Sequence, residues 1–281
     1  MIANSFEYTA PATLDEALKL LADGSAKALS GGMSLIPMMK LRLANPEHLV
    51  YIGRLAELNY IREEKDGIHI GAGVTHHEVE SAPLLRGKCP LLAETAGFIG
   101  DIQVRNMGTI GGSIAHADPA ADYPAALQAL EAKIVVKSAS GSRTIAVDDF
   151  FIDTFMTALE PGEIVTEVIV PVDDAATGSS YQKFLQPASG FAIVGVAARV
   201  RREGEKIAMA RIGVTGFAGR PFRALETEKA LVANGDIRAA AALVVQGIEA
   251  NSDLHASAKY RGSLAVTYAA KAINTAISRS V

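Results

Sequence analysis

The chain has 281 residues, 49% of them hydrophobic and 21% charged, with a formal net charge of −4. That length allows a sizeable core and two domains, and the charge leaves no footprint for nucleic acid or an anionic membrane. The single cysteine, Cys89, excludes an intrachain disulfide and also a self-held iron–sulfur cluster, which takes four thiolates.

The N-terminal stretch has no basic region followed by an apolar one, and no run of about 18 apolar residues follows. Neither a secretory signal nor a membrane span is expected, and the expected location is the cytoplasm. Thr13-Leu14-Asp15-Glu16 reads as a capping box, and Leu14, Ala17, Leu18 and Leu21 repeat at helical spacing. A short strand over 27–30 leads into the small-residue turn Gly31-Gly32-Met33-Ser34-Leu35 and the start of a helix at 38–41. Residues 46–51 read as a strand, and 61–72 as a hairpin turning at Lys65-Asp66-Gly67. A short helix begins near Val74-Thr75-His76-His77-Glu78. Adjacent histidines point in different directions on a helix, so His76 and His77 read as surface or capping residues, and no metal ligand set is assigned. Cys89 precedes a helix over 90–99 and reads as a buried structural thiol.

The densest chemistry lies at 103–130. A glycine turn (Gly108, Gly111, Gly112) carries the hydroxyls Thr109 and Ser113, and His116, Asp118 and Asp122 follow. Asp118-Pro119 reads as an N-cap and first-turn proline opening an alanine-rich helix, with Asp122 one turn in. Glycines let the backbone approach a ligand, and N–H groups at a helix start suit phosphate. Strand, glycine turn and helix start thus occur twice, about eighty residues apart. Neither turn fits the P-loop, and Gly71-x-Gly73 lacks the third glycine of a dinucleotide fingerprint because position 76 is His.

A hairpin follows at 133–137 and 143–147, then a loop or short helix at 148–151 and a strand at 163–171. Residues 173–180 are small and polar and read as the linker between domains. Beyond it stand three strands (181–185, 191–199, 206–214) and three helices (225–232, 237–250, 257–277), an α+β arrangement with helices on one sheet face.

The segments SGGMSLIPMMKLRLANPEHLV, GAGVTHHEVE and VRNMGTIGGSIAHADPAADYPAAL resemble the flavin-binding medium subunits of molybdenum hydroxylases, the family of xanthine dehydrogenase and aerobic carbon monoxide dehydrogenase. Carbon monoxide dehydrogenase medium subunits are the nearest in likeness. YQKFLQPASGFAIVGVAARV and VTGFAGRPFRA are similar to the C-terminal domain of those subunits, so the likeness runs along nearly the whole chain. It implies an α+β fold: an FAD-binding domain of the vanillyl-alcohol-oxidase (PCMH) type at 1–175, with subdomains at about 1–58 and 59–175, then a C-terminal α+β domain at 176–281 with a three-stranded antiparallel sheet and three helices.

The same likeness implies noncovalent FAD between the two subdomains. Gly31, Gly32, Met33, Ser34 and Leu35 would wrap the diphosphate, and Thr109, Gly111, Gly112 and Ser113 would complete the cradle. Asp122 matches a carboxylate near the ribityl chain, Ala117, Asp118 and Pro119 lie nearby, and Tyr181 stands as a ring neighbour. Met33 occupies a position where relatives often carry Thr, Gln or His, and Ser113 one where they often carry Asn. No catalytic residue is implied on this chain. The molybdenum cofactor and [2Fe-2S] clusters belong to a large and a small partner subunit, in a dimer of heterotrimers. FAD passes electrons to quinone, NAD or oxygen, and the complex has the inner face of the membrane as a second location. Two other readings stand beside this one: a self-contained flavin oxidoreductase using His116 as base, and a flavin-free scaffold.

Overall fold

The computed structural model describes residues 2–281. The chain opens with a parallel three-stranded sheet in the order Glu7–Thr9, His48–Tyr51, Ala26–Leu29. The first of these strands has no apolar alternation and went unread in the sequence. The helix Leu14–Leu21 buries Leu14, Ala17, Leu18 and Leu21 in one cluster with Val50, Ile52, Leu55 and Leu58. Thr13 caps it by accepting from Glu16 N at 3.2 Å, but the Glu16 carboxylate accepts from Ala12 N rather than Thr13 N. Only half of the expected capping box forms there. A complete one forms at the helix His76–Ser81, between Thr75 and Glu78.

The second sheet is antiparallel, in the order Ile61–Glu64, Gly67–Gly71, Ile164–Val170, Lys133–Ser138, Gly141–Ala146. Ile68, Ile70, Ile134, Val136 and Val168 from this sheet share a core with the helices Pro90–Gly97, Ile110–His116 and Tyr123–Ala129. Cys89 is fully enclosed there.

The third sheet is antiparallel and holds Thr177–Leu185, Ala192–Glu203, Lys206–Thr215 and Phe222–Arg223. It has four strands rather than the expected three, because the two-residue strand at 222–223 is too short to carry a pattern. Both faces are covered. Val194, Val196, Ala198 and Val200 pack with the helix Ala258–Arg279, while Tyr181 and Ala197 belong to the core of the second sheet. Gly213 makes that junction possible, since a Cβ there would lie 2.0 Å from Ala125 O.

Four further expectations change. The linker is shorter than 173–180, because residues from Thr177 onward already pair in the sheet. The helix expected at 237–250 ends at Ala242 and gives way to turns. His76 is buried, with its Nδ1 3.2 Å from the Tyr123 hydroxyl. The glycine turn around 108–113 is two short helices end to end, Ile102–Met107 and Ile110–His116, joined at Gly108. No helix among the described residues is long and apolar enough to cross a membrane.

Candidate functional site

The first small-residue turn follows the strand Ala26–Leu29 and precedes the six-residue helix Leu35–Lys40. Gly32 has a left-handed backbone, φ 74°, and a Cβ there would meet Ile36 Cδ1 at 2.6 Å. Only glycine adopts this turn without strain. Among the described residues, the N–H groups of Gly31, Gly32, Met33, Ser34 and Leu35 donate to no acceptor. Met33 is exposed, and Ser34 and Leu35 are half-buried. The turn therefore presents a row of five free backbone donors at a helix start, an arrangement suited to an anion.

The second element is built differently. Thr109 caps the helix Ile110–His116 through its Oγ1, which accepts from Gly112 N at 3.2 Å. Ile110 N and Gly111 N donate to Val74 O and Ala72 O, and Ser113 N to Thr109 O. Its early N–H groups are thus largely used within the protein, and it offers the positive end of a helix rather than a second row of free donors. The three neighbouring glycines serve different ends. Gly108 faces His76, where a Cβ would lie 2.6 Å from Nε2. Gly111 is buried against Ala72, while Gly112 is exposed and faces only Thr109 Oγ1. Ser113 is half-buried beside it.

The two elements are in contact. Ser30 Oγ lies 3.0 Å from Thr109 Oγ1. Gly31 packs so closely that a Cβ would stand 1.9 Å from Met107 O. Two segments some eighty residues apart in sequence thus form one continuous edge.

The polar run after the second element is placed elsewhere. Asp118 does not cap the alanine-rich helix; its Oδ1 accepts from Ala120 N at 2.8 Å in a local turn. The helix starts at Tyr123, with Pro124 in its first turn and Asp122 at the N-cap position. Ala117 sits in the left-handed region, φ 51°, with its carbonyl accepting from Phe155 N. The segment is stitched to the third sheet: Pro119 O accepts from Gly216 N and the Thr215 hydroxyl, and Ala121 O from the Thr215 hydroxyl. His116 has its ring 5.1 Å from that of Phe155, and burial holds its imidazole below the usual range.

Asp122 is enclosed. Its Oδ1 accepts from the Tyr181 hydroxyl at 2.5 Å, and both oxygens accept from Lys183 Nζ at 3.0 and 2.9 Å. Burial pushes its carboxyl up to about 6, against the pull of the Lys183 ammonium and the Tyr181 hydroxyl. Tyr181 is fully buried, and its ring meets Phe98 edge-on at 5.7 Å. Gly195 leaves room for it, since a Cβ there would lie 2.2 Å from the Tyr181 hydroxyl. Lys183 also donates to Phe98 O and Gly190 O. Sequence reading missed Lys183, yet one signal was available. Tyr181 and Lys183 are two apart on a strand and so share a face. Ser30, the hydroxyl partner of Thr109, was also missed.

Residues 4–173 match the model of the FAD binding domain in molybdopterin dehydrogenase, and residues 179–276 match the CO dehydrogenase flavoprotein C-terminal domain. The chain belongs to this family of FAD-binding subunits. It is similar to the carbon monoxide dehydrogenase medium chain of Hydrogenophaga pseudoflava, 40% identical with 99% of each chain covered. Glyceraldehyde dehydrogenase medium chain from Sulfolobus acidocaldarius is also 40% identical, over 93% of this chain and 94% of that one. The solved structure of the Hydrogenophaga pseudoflava carbon monoxide dehydrogenase that lacks the Mo-pyranopterin moiety superposes with a TM-score of 0.96 at 41% identity, covering 100% of both chains.

Proposed function

We propose that the edge formed by the two elements holds the diphosphate of noncovalent FAD. The observation that carries this is the row of free N–H groups at 31–35 on a turn closed to any side chain at Gly32. Gly31, Gly32, Met33, Ser34 and Leu35 serve through their backbone, so the loss of a polar side chain at Met33 is tolerated. Thr109, Gly112 and Ser113 border the phosphates at the helix start, and Gly111 seats that helix against Ala72. Asp122 and Tyr181 act from within the protein, by clamping the third sheet to the helix Tyr123–Ala129. Ala117 and Asp118 shape the connection between them. The flavin, when bound, supplies exchange between one-electron and two-electron carriers. This chain's residues bind it, orient it and shield it.

The chain works as the middle member of a complex. A large subunit carries the molybdenum cofactor, and a small subunit carries the [2Fe-2S] clusters that deliver electrons to this one, in a dimer of heterotrimers. Cys89, buried and with its thiol pushed up to about 12 by burial, offers no cluster ligand. The final acceptor is quinone, NAD or oxygen. The complex resides in the cytoplasm or at the inner face of the membrane. Division of the chain at about 175 separates the FAD-binding part from the C-terminal part. Two relatives of equal identity are named for carbon monoxide and for glyceraldehyde, which supports placing substrate choice on another subunit.

The test is anaerobic incubation of the flavin-loaded chain with carbon monoxide, an aldehyde or a purine, following absorbance near ~450 nm, where oxidised flavin absorbs. No bleaching is expected until the partner subunits are added. Bleaching by the chain alone would promote a self-contained oxidoreductase.

A further inference from the structure

Tyr60, Glu64, Asp66, His69 and Glu167 gather on the edge hairpin of the five-stranded sheet and the strand beside it. None of them takes part in the flavin site. His69 lies on the inner strand of the hairpin, with its side chain 9% exposed. Its Nδ1 is 3.0 Å from Glu167 Oε2, and the Tyr60 hydroxyl donates to that same oxygen at 2.6 Å. A carboxylate fixed in this way keeps a proton on Nδ1 and turns Nε2 to the opposite side. There Nε2–H donates to Asp66 Oδ1 at 2.9 Å, with Glu64 Oε2 at 3.9 Å, and a bound ion would take the place of that proton. One atom from each of Glu64, Asp66 and His69 lies within 4.8 Å of the other two.

We propose that Glu64, Asp66 and His69 form a site for a divalent transition-metal ion of the zinc class, with Glu167 as the outer partner of the histidine. Three features separate it from an ordinary acidic surface. The nitrogen donor is buried and oriented by a carboxylate that is itself oriented, the arrangement found behind metal-bound histidines. The donor set, one imidazole and two carboxylates, suits zinc, whereas magnesium and calcium take oxygen alone. The spacing also fits. Ligands about 2 Å from a tetrahedral ion stand about 3.3 Å apart, so side-chain shifts within the present spread bring all three into place, with water as the fourth ligand. Arg62 Nε pairs with Glu64 Oε1 at 2.7 Å, while Oε2 is the oxygen that faces His69. A bound ion ties the hairpin turn to its inner strand.

The experiment uses the tag-free chain, stripped with EDTA and dialysed. Zinc sulfate is titrated by calorimetry, and cobalt(II) is titrated while visible ligand-field bands are followed. One zinc per chain and visible cobalt bands are expected. The double variant Glu64→Gln with Asp66→Asn changes two exposed side chains, and it should bind zinc about tenfold or more weakly while its circular dichroism is unchanged. Absence of saturable zinc binding by the parent chain overturns the site, as does affinity unchanged in the double variant.

Discussion

A methyl group on Gly111 would stand 2.4 Å from Ala72 Cβ and 2.7 Å from Ala72 O, whereas one on Gly112 would meet only Thr109 Oγ1. Gly111→Ala should therefore destabilise the fold by about 1–3 kcal/mol, as overpacked cores do. Gly112→Ala lies on an exposed helical turn, crowds only the Thr109 hydroxyl at 2.9 Å, and should shift the melting temperature much less than Gly111→Ala while lowering flavin occupancy. Gly32→Ala forces a side chain into the left-handed region at about 1–2 kcal/mol and pushes on Ile36. The measurement is melting temperature beside the flavin-to-protein absorbance ratio. Full occupancy in Gly112→Ala and Gly32→Ala, with folds intact, would remove the phosphate site from this edge. The Asp122–Lys183 pair is governed by desolvation instead. Lys183→Met leaves a buried carboxylate without its cation and should cost about 3–5 kcal/mol. The double variant with Asp122→Asn should recover part of that loss, as a double-mutant cycle in urea would show.

At the level of single elements, the helix His76–Ser81 makes the fold sensitive to acid. Burial, with Arg105 nearby, pulls the His76 imidazole down to about 4 from 6.5. The unfolded chain binds a proton between those values and the folded chain does not. Its contribution is thus fully present above pH 6.5 and is lost as pH falls towards about 4. The difference of about 2.5 units corresponds to about 3 kcal/mol. Urea midpoints of the parent chain and His76→Gln should diverge in pH slope across that window; parallel slopes would show that His76 titrates freely. Which elements were readable in the sequence follows from their length. The helix Leu14–Leu21 and the hairpins at 61–71 and 133–146 have enough residues to show a period. The helices Ile102–Met107 and Ile110–His116 have fewer than two turns each, and only their caps, Asp101 and Thr109, announce them. The glycines there looked like a loop because a helix interior rarely carries two in succession. The row of free N–H groups at 31–35 was readable because it belongs to the backbone of consecutive residues. The Asp122–Lys183 clamp joins residues 61 apart and has no local pattern, so the pairing was not legible in the sequence.

For the whole molecule, the decisive fact is that the first part of the chain does not close its core without the second. Tyr181 and Ala197, from the third sheet, lie in the core of the second. The helix Tyr123–Ala129 is buried at every position and rests partly on the strand Lys206–Thr215, with Gly213 against Ala125 O. Removing residues from 176 onward would expose that helix, strip the Tyr181 and Lys183 partners from Asp122, and leave Pro119 and Ala121 carbonyls without their donors. An apolar helix face uncovered together with an unpaired buried carboxylate is a large loss against a total stability of about 5–15 kcal/mol. The 1–175 fragment should therefore be partly unfolded. It should bind a hydrophobic dye, show a broad or absent melting transition, and retain no flavin even though both cradle elements are present. Supplying 176–281 as a separate chain should restore a cooperative transition, because the seam is built from packing and hydrogen bonds that need no covalent link. A sharp melt and stoichiometric flavin in the fragment alone would mean that the FAD-binding part closes its own core, and that the C-terminal sheet serves the partners rather than the fold.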